Sequence, residues 1–285
     1  MQIYYLILYF FTYGLLGWCT EVAYAAVRQG KFVNRGFLNG PICPIYGVGV
    51  SVVIYFLMPL SGSLALLYAA SAVLVTVLEG ITGYLMERLF HHKWWDYSDQ
   101  PLNIGGYVCL IFSLVWGVAC VFIVRVFHPL IHKLLALIPF AAGVVLCAGL
   151  MVVLFADLYV TASGILKLNR QLETMERIAG ELKELSDKLG ETIYENVMET
   201  MEIREEGLKR ISDAAAGRKE RFEEITSEQR QRTRARLLEL HERYEAVSRE
   251  RSRVAGRLMN AFPRMESRRH KMLLEELKKR MKNRM

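Results

Sequence analysis

Four acidic side chains and one arginine hold most of the chemistry this sequence offers. Glu21, Glu79 and Asp157 are each the single acidic residue of a long apolar run, and Arg35 and Asp96 lie in the polar stretches "NRGFLNGPICPIYG" (34–47) and "HHKWWDYSDQPLNIGGY" (91–107). A carboxylate next to hydrocarbon is costly unless it is protonated, hydrated or paired. Three chemistries follow: binding of a proton or cation, an ion pair that holds Arg35, or general-base catalysis by Glu21, Glu79 or Asp96 with Arg35 stabilising negative charge. No nucleophile constellation accompanies the last of these. His91 and His92 are adjacent in a loop and lack the convergent partners of a metal site, so no metal and no cofactor are expected.

The elements that position these residues are five apolar runs, Ile3–Val27, Ile42–Leu60, Leu64–Met86, Ile104–Val124 and Leu134–Val160. Each approaches or exceeds the roughly 20 helical residues that cross a hydrocarbon core about 30 Å thick. Residues 1–160 are therefore expected to form a five-helix transmembrane domain, and 161–285 a cytoplasmic helical, coiled-coil tail: an all-α, polytopic membrane protein. Met1-Gln2 lacks the basic region of a signal peptide, so the first helix is expected to be retained. The five cysteines include no CxxC pair and read as free thiols.

Basic residues set the orientation. Arg28, Lys31 and Arg35 lie in the first connection, Arg88 and Lys93 in the third, and 29 Lys and Arg follow Val160, whereas the N-terminus and the 59–63 turn have none. The N-terminus is placed outside and both polar loops and the tail in the cytoplasm. Helices 1, 3 and 5 then run inward, and counting about 1.5 Å per residue brings Glu21, Glu79 and Asp157 to similar depth near the cytoplasmic boundary. A polar membrane-boundary site of Glu21, Asn34, Arg35, Glu79, Asp96, Asn103 and Asp157 is expected, with Gly36, Gly40, Pro41, Pro44, Tyr46, Gly47, Trp95 and Tyr97 shaping the loops. Both loops end at the start of a helix, where free N–H groups favour a phosphate or carboxylate. Trp94, Trp95 and Tyr97 are expected partly as interfacial anchors.

The strings "GWCTEVAY", "FVNRGFLNGPICPIYGVG", "WWDYSDQPLN" and "FADLYVTASGILKLN" resemble the bacterial membrane family of ABC-transporter type IV, CmpB-like proteins, over residues 1–170. The resemblance implies a bacterial plasma-membrane protein with a transport-related role, a possible separate ATPase as partner, and the fifteen boundary and loop residues just named as family positions. No G-x4-G-K-[ST] motif is present, since the one Gly-Lys pair, Gly30-Lys31, is followed by Phe32, so ATP hydrolysis by a P-loop in this chain is excluded.

The tail has helical composition. Ile165, Leu168, Leu172, Met175, Ala179, Leu182, Leu189 and Ile193 follow one heptad register, broken at Ser186, and Leu237, Leu240, Tyr244, Val247, Val254, Leu258, Ala261 and Met265 another, broken at Arg251. Residues 161–229 carry 11 basic and 16 acidic side chains, against 18 and 7 in 230–285. An antiparallel hairpin bending near 214–219, a homo-oligomer or a partner subunit would each satisfy this pattern, and anionic membrane lipid would attract the basic half. No nucleic-acid signature accompanies the charge. The expected function is a permease-like transport subunit; the alternatives are an intramembrane enzyme acting on a lipid or phosphorylated headgroup, and a membrane-anchored coiled-coil scaffold.

Overall fold

The computed structural model describes residues 2–206, 214–250 and 252–282. It divides into two compact units: one contains residues 1–168 together with 251–285, the other residues 169–250. In the first unit the helices α1 (Gln2–Gln29), α2 (Pro44–Leu57), α3 (Leu64–Phe90), α4 (Leu110–Phe122), α5 (His128–Ala136) and the start of α6 (Phe140–Glu206) follow one another. The helix α1 packs on α2, α2 on α3 and α3 on α4. Five stretches are long and apolar enough to cross a membrane: Ile3–Gln29, Pro44–Gly62, Leu64–Phe90, Leu110–Ala136 and Phe140–Lys188. Most of their apolar surface faces away from the protein, with Val73 65%, Val118 62% and Val152 70% exposed. That pattern suits lipid rather than water.

Local chemistry sets the helix ends. Pro44 occupies the first turn of α2, where its missing N–H removes no helical bond. Ser63 caps α3 by accepting from Leu66 N, and α3 ends with His91 in the left-handed region at φ 59°. The fourth span starts later than the apolar run suggests, because Ile104 is held in a small hairpin, β2 (Asn103–Ile104) with β3 (Val108–Cys109). It also ends later. Residues Ile123–Phe127 form a π turn in which the His128 N–H bonds Ile123 O, five residues back, and the helix continues as α5. Pro129 has no N–H to give the carbonyl four residues before it, and the wider turn absorbs the defect. Leu134–Ala136 thus belong to the fourth span, and the fifth begins at Phe140, after Pro139.

The second unit pairs the distal part of α6 with α7 (Ala214–Arg249). The side-chain amide of Gln171 donates to Val247 O (2.8 Å) and Glu250 O (3.1 Å), and Arg236 faces Glu181, so the two helices run antiparallel. Leu172, Met175 and Ile178 are buried on α6, as is Leu240 on α7; Ile178 takes the place expected of Ala179, since the stripe follows the 3.6-residue helical period. Residues 214–219, where a bend was expected, are helical. The connection 207–213 and the side chains of Leu189 and Ile193 lie outside the described residues.

The second heptad register does not continue as one helix. It stops at Arg249, Ser252 caps a new helix α8 (Arg253–Ala261) by accepting from Ala255 N, and Pro263 follows. The residues Val254, Leu258, Ala261 and Met265 pack in the first unit, where Val254 meets Gly164 and Ala261 is buried with Ala25 and Val33. Two short strands, β1 (His92–Lys93) and β4 (Glu266–Ser267), pair antiparallel and tie the C-terminal segment to the loop after α3, and α9 (Lys271–Lys282) completes the unit.

Candidate functional site

Loop one, residues 30–43, is braced by Asn34 from within and held by contacts with other elements. The Trp18 indole donates to Asn34 Oδ1 (2.7 Å), which also accepts from Gly36 N, while Asn34 Nδ2 donates to Asn39 O. Leu38 is fully buried. Asp157 on α6 accepts from the backbone N–H groups of Asn39 (3.0 Å) and Gly40 (2.7 Å) and from Asn39 Nδ2 (2.7 Å). A charged acceptor with several N–H donors is the strong form of hydrogen bonding. Asp157 therefore grips the loop's backbone, while Arg35 pairs elsewhere.

On the other side of the same loop lies Arg257 of α8, which the sequence reading did not single out. Its Nε donates to Asn39 Oδ1 (3.0 Å), and its two terminal nitrogens donate to Gly36 O (2.8 Å) and Phe37 O (2.7 Å). Burial lowers its basicity, and the nearby Asp157 charge opposes that effect. Asn39 is thus held between an aspartate of the fifth span and an arginine of the C-terminal segment, a hundred residues apart in sequence. Phe37 extends the junction by meeting Phe90 and Trp94, and Trp94 meets Phe262. Trp94 is 4% exposed, so it is a packing residue under the C-terminal segment and does not sit free at an interface.

Arg35 pairs with Glu21 of α1, Nε to Oε2 at 3.3 Å, and its guanidinium lies 5.3 Å from the Tyr24 ring centre. The other Glu21 oxygen accepts from the Tyr46 hydroxyl (2.7 Å). Tyr46 reaches it because Gly17 leaves its ring room against α1: a methyl group at Gly17 would stand 2.4 Å from Tyr46 Cγ. Gly47 serves the same close approach, since a methyl group there would meet Phe10 O at 2.4 Å. The Tyr46 ring in turn meets Trp116 edge-on.

Glu79 of α3 is the third carboxylate. It is 8% exposed, and its Oε1 accepts from the Tyr97 hydroxyl (3.3 Å). Its Oε2 is buried outside standard hydrogen-bond geometry among the described residues, and the Trp116 indole is a donor group acting on the same carboxyl. Burial, and then the Glu79 charge and hydrogen bond, push the Tyr97 phenol well above its ordinary range. Glu79 and Glu21 are therefore linked to one aromatic cluster: Tyr97 on Glu79, Tyr46 on Glu21, and Trp116 between.

Loop two, residues 91–109, is mostly self-contained. Asp96 accepts from Lys93 Nζ (2.8 Å), Ser98 N (2.9 Å) and Ser98 Oγ (2.6 Å). Burial raises its pKa, but the Lys93 and Ser98 bonds outweigh burial and hold the carboxyl below its ordinary value. Asn103 bonds Ser98 O, Gln100 O and Gly106 N, and the Trp95 indole bonds Tyr107 O. The structure thus does not bring Asp96 and Asn103 to Arg35; they brace their own loop, and Tyr97 is the loop's contribution to Glu79. The Tyr107 hydroxyl donates to Glu87 (2.8 Å), which also pairs with Arg268 of the C-terminal segment. Of the remaining loop positions, Pro41 is exposed, and Gly36 and Gly40 pass closely under Trp18 and Asp157.

The opposite end of the unit holds a second polar cluster that the sequence reading missed. Tyr9 bonds His132 Nδ1 (2.6 Å) and Tyr13 bonds His128 Nδ1 (3.2 Å). The signal was present as matching four-residue spacings, Tyr5, Tyr9 and Tyr13 against His128 and His132. Among the described residues, no group of three or more His, Cys, Asp or Glu is placed to hold a metal ion.

Neither a curated protein nor a solved structure matches the chain. Residues 8–162, more than half of the sequence, match the family described as "Putative ABC-transporter type IV", and they include the Glu21, Arg35, Glu79 and Asp157 positions just described. This membrane protein with five apolar spans belongs to that ABC-transporter-related family.

Proposed function

We propose that the chain is a permease-like transport subunit whose polar site, formed by Glu21, Arg35, Tyr46, Glu79 and Tyr97, lies at the cytoplasmic membrane boundary and binds a cation or proton during transport. The observation that carries this reading is Glu79: a carboxylate more than nine-tenths buried, with no cation paired to it among the described residues and only Tyr97 and Trp116 as donors. Such a group is stable there as the neutral acid or with a bound cation. Glu21, by contrast, is paired with Arg35 and accepts from Tyr46. Loop one, gripped by Asp157 and Arg257, forms the wall that carries Arg35. ATP hydrolysis belongs to a separate subunit, and the helical tail is the surface through which that subunit or a second copy attaches.

The test uses inside-out vesicles from cells making the full chain and any co-expressed partners, incubated with a pool of small solutes from cell extract. Mass spectrometry should find at least one solute accumulated with the natural protein and lost with Glu21→Gln or Arg35→Ala, at equal membrane insertion. Equal accumulation in all three would sink the reading. A changed lipid profile without any solute accumulation would instead support action on a headgroup.

A further inference from the structure

The side chains at positions 5, 9, 13, 17, 21 and 25 of α1 form one i, i+4 row, and they are Tyr5, Tyr9, Tyr13, Gly17, Glu21 and Ala25. Every polar member has a partner of matching chemistry. Tyr5 lies against the His132 ring, Tyr9 bonds His132, Tyr13 bonds His128, Gly17 admits the Tyr46 ring, and Glu21 accepts from the Tyr46 hydroxyl. At about 100° per residue the row winds about 40° further round α1 at each step, so the tyrosines meet the histidines and Glu21 meets Tyr46 of α2. A ridge of hydroxyl, imidazole and carboxylate groups therefore winds along a helix that crosses the apolar layer.

The histidines reach this row through the π turn. His128 donates its backbone N–H to Ile123 five residues back, and each residue added to a helical turn rotates the following face by about 100°. Downstream of the turn, His128 and His132 both face α1, with His128 2% exposed and its ring 6.1 Å from that of His132. The titratable groups packed on the pair are Tyr5, Tyr9 and Tyr13 from α1, while α2 contributes apolar Val50 and Ile54. Two imidazoles placed in this setting, each bonded to a phenol, are expensive as mere packing, because apolar side chains would fill the same volume without polar atoms to satisfy.

We infer that the Tyr9–His132 and Tyr13–His128 pairs are a proton-binding site at the outer end of the unit and the entry to a proton path along α1 toward Glu21. The inference rests on the transport reading above and names its coupling ion. Each pair takes up one proton with no electron exchanged. In the charged pair the imidazolium Nδ1–H donates to the tyrosine oxygen, and the tyrosine hydrogen turns to the next acceptor. The described hydrogen bonds stop at Tyr13 and resume at Tyr46, about 12 Å further along the axis at Glu21. The step across Gly17 is made by water or by a swing of the Tyr46 ring.

The test is 15N-histidine NMR of the full chain in lipid nanodiscs, with the resonances of His128 and His132 assigned by His128→Gln and His132→Gln. The ring 15N shifts of both are expected to change between the acid and the alkaline end of the series. Tyr13→Phe should move the His128 midpoint and Tyr9→Phe that of His132, each by about half a unit or more. Both changes retain the aromatic ring, so loss of fold does not confound them. Histidines fixed in one neutral form throughout, or midpoints indifferent to the tyrosine changes, would overturn the site. In the vesicle assay an imposed pH gradient should raise accumulation in the natural protein and not in the double His→Gln variant. Accumulation that depends on Glu21 but ignores the gradient would remove the proton path and leave the transport reading standing.

Discussion

Loops one and two both set Gly, Pro, Asn and aromatic residues between apolar helices, yet their polar groups are satisfied in different ways. Loop one is held from outside, by Trp18, Asp157 and Arg257, and offers Arg35 to Glu21. Loop two is tied to the C-terminal segment at His92–Trp94, but its residues 96–106 are held largely from within, by Asp96 on Lys93 and Ser98 and by Asn103 on Ser98, Gln100 and Gly106. A loop that satisfies itself keeps its shape when its neighbours move. A loop satisfied by α6 and α8 takes its shape from them, so displacement of either is transmitted to Arg35.

The contrast can be broken most forcefully at Arg257. Arg257→Ala leaves the carbonyls of Gly36 and Phe37 without their donors and should weaken docking of residues 252–282 by about 3 kcal/mol. Hydrogen-deuterium exchange should then rise in residues 36–40 and 254–267 while residues 96–106 keep their protection. Exchange rising equally in both loops would erase the distinction. Gly106→Ala is the reciprocal test: at φ 72°, with Asp96 Oδ1 2.3 Å from the added methyl group, it should cost about 2 kcal/mol and disturb loop two alone. Thermal unfolding in detergent, together with the same exchange map, measures both effects.

The smallest expected effect is that of Asp96. Its side chain is 36% exposed, so Asp96→Asn should cost only about 1 kcal/mol. Because its folded-state pKa lies below the ordinary value of 3.8, its contribution is complete above that pH and is lost as pH falls through the lower folded value. Acid titration should therefore loosen residues 96–106 below about pH 4 in the natural protein, and the Asn variant should lack that step.

Much of this arrangement could be read from the sequence. The apolar runs locate the spans because burial in lipid demands length and composition only. Counting residues gives an expected depth for Glu21, Glu79 and Asp157 but no rotation about the helix axis, so the grip of Asp157 on Asn39 and Gly40 was not legible. The self-bracing of loop two had a local signal in Asp-Tyr-Ser, where an aspartate bonds the backbone two residues on. Arg257 was hidden for a different reason. Val254, Leu258 and Ala261 have the spacing of a coiled-coil seam, and the same spacing serves a short helix packed on Ala25, Val33 and Gly164. An apolar stripe tells which face is buried and leaves its partner open. The π turn was equally obscure, since Pro129 marks a defect in the helix without stating whether it kinks, breaks or widens.

The most direct test of the central claim, that Arg35 of loop one works in a transport site while Asp96 of loop two only braces its own loop, is solute accumulation by vesicles carrying Arg35→Ala and Asp96→Asn side by side at matched insertion. Accumulation lost in Arg35→Ala and kept in Asp96→Asn is the predicted result. Loss in both, or retention in both, would contradict it.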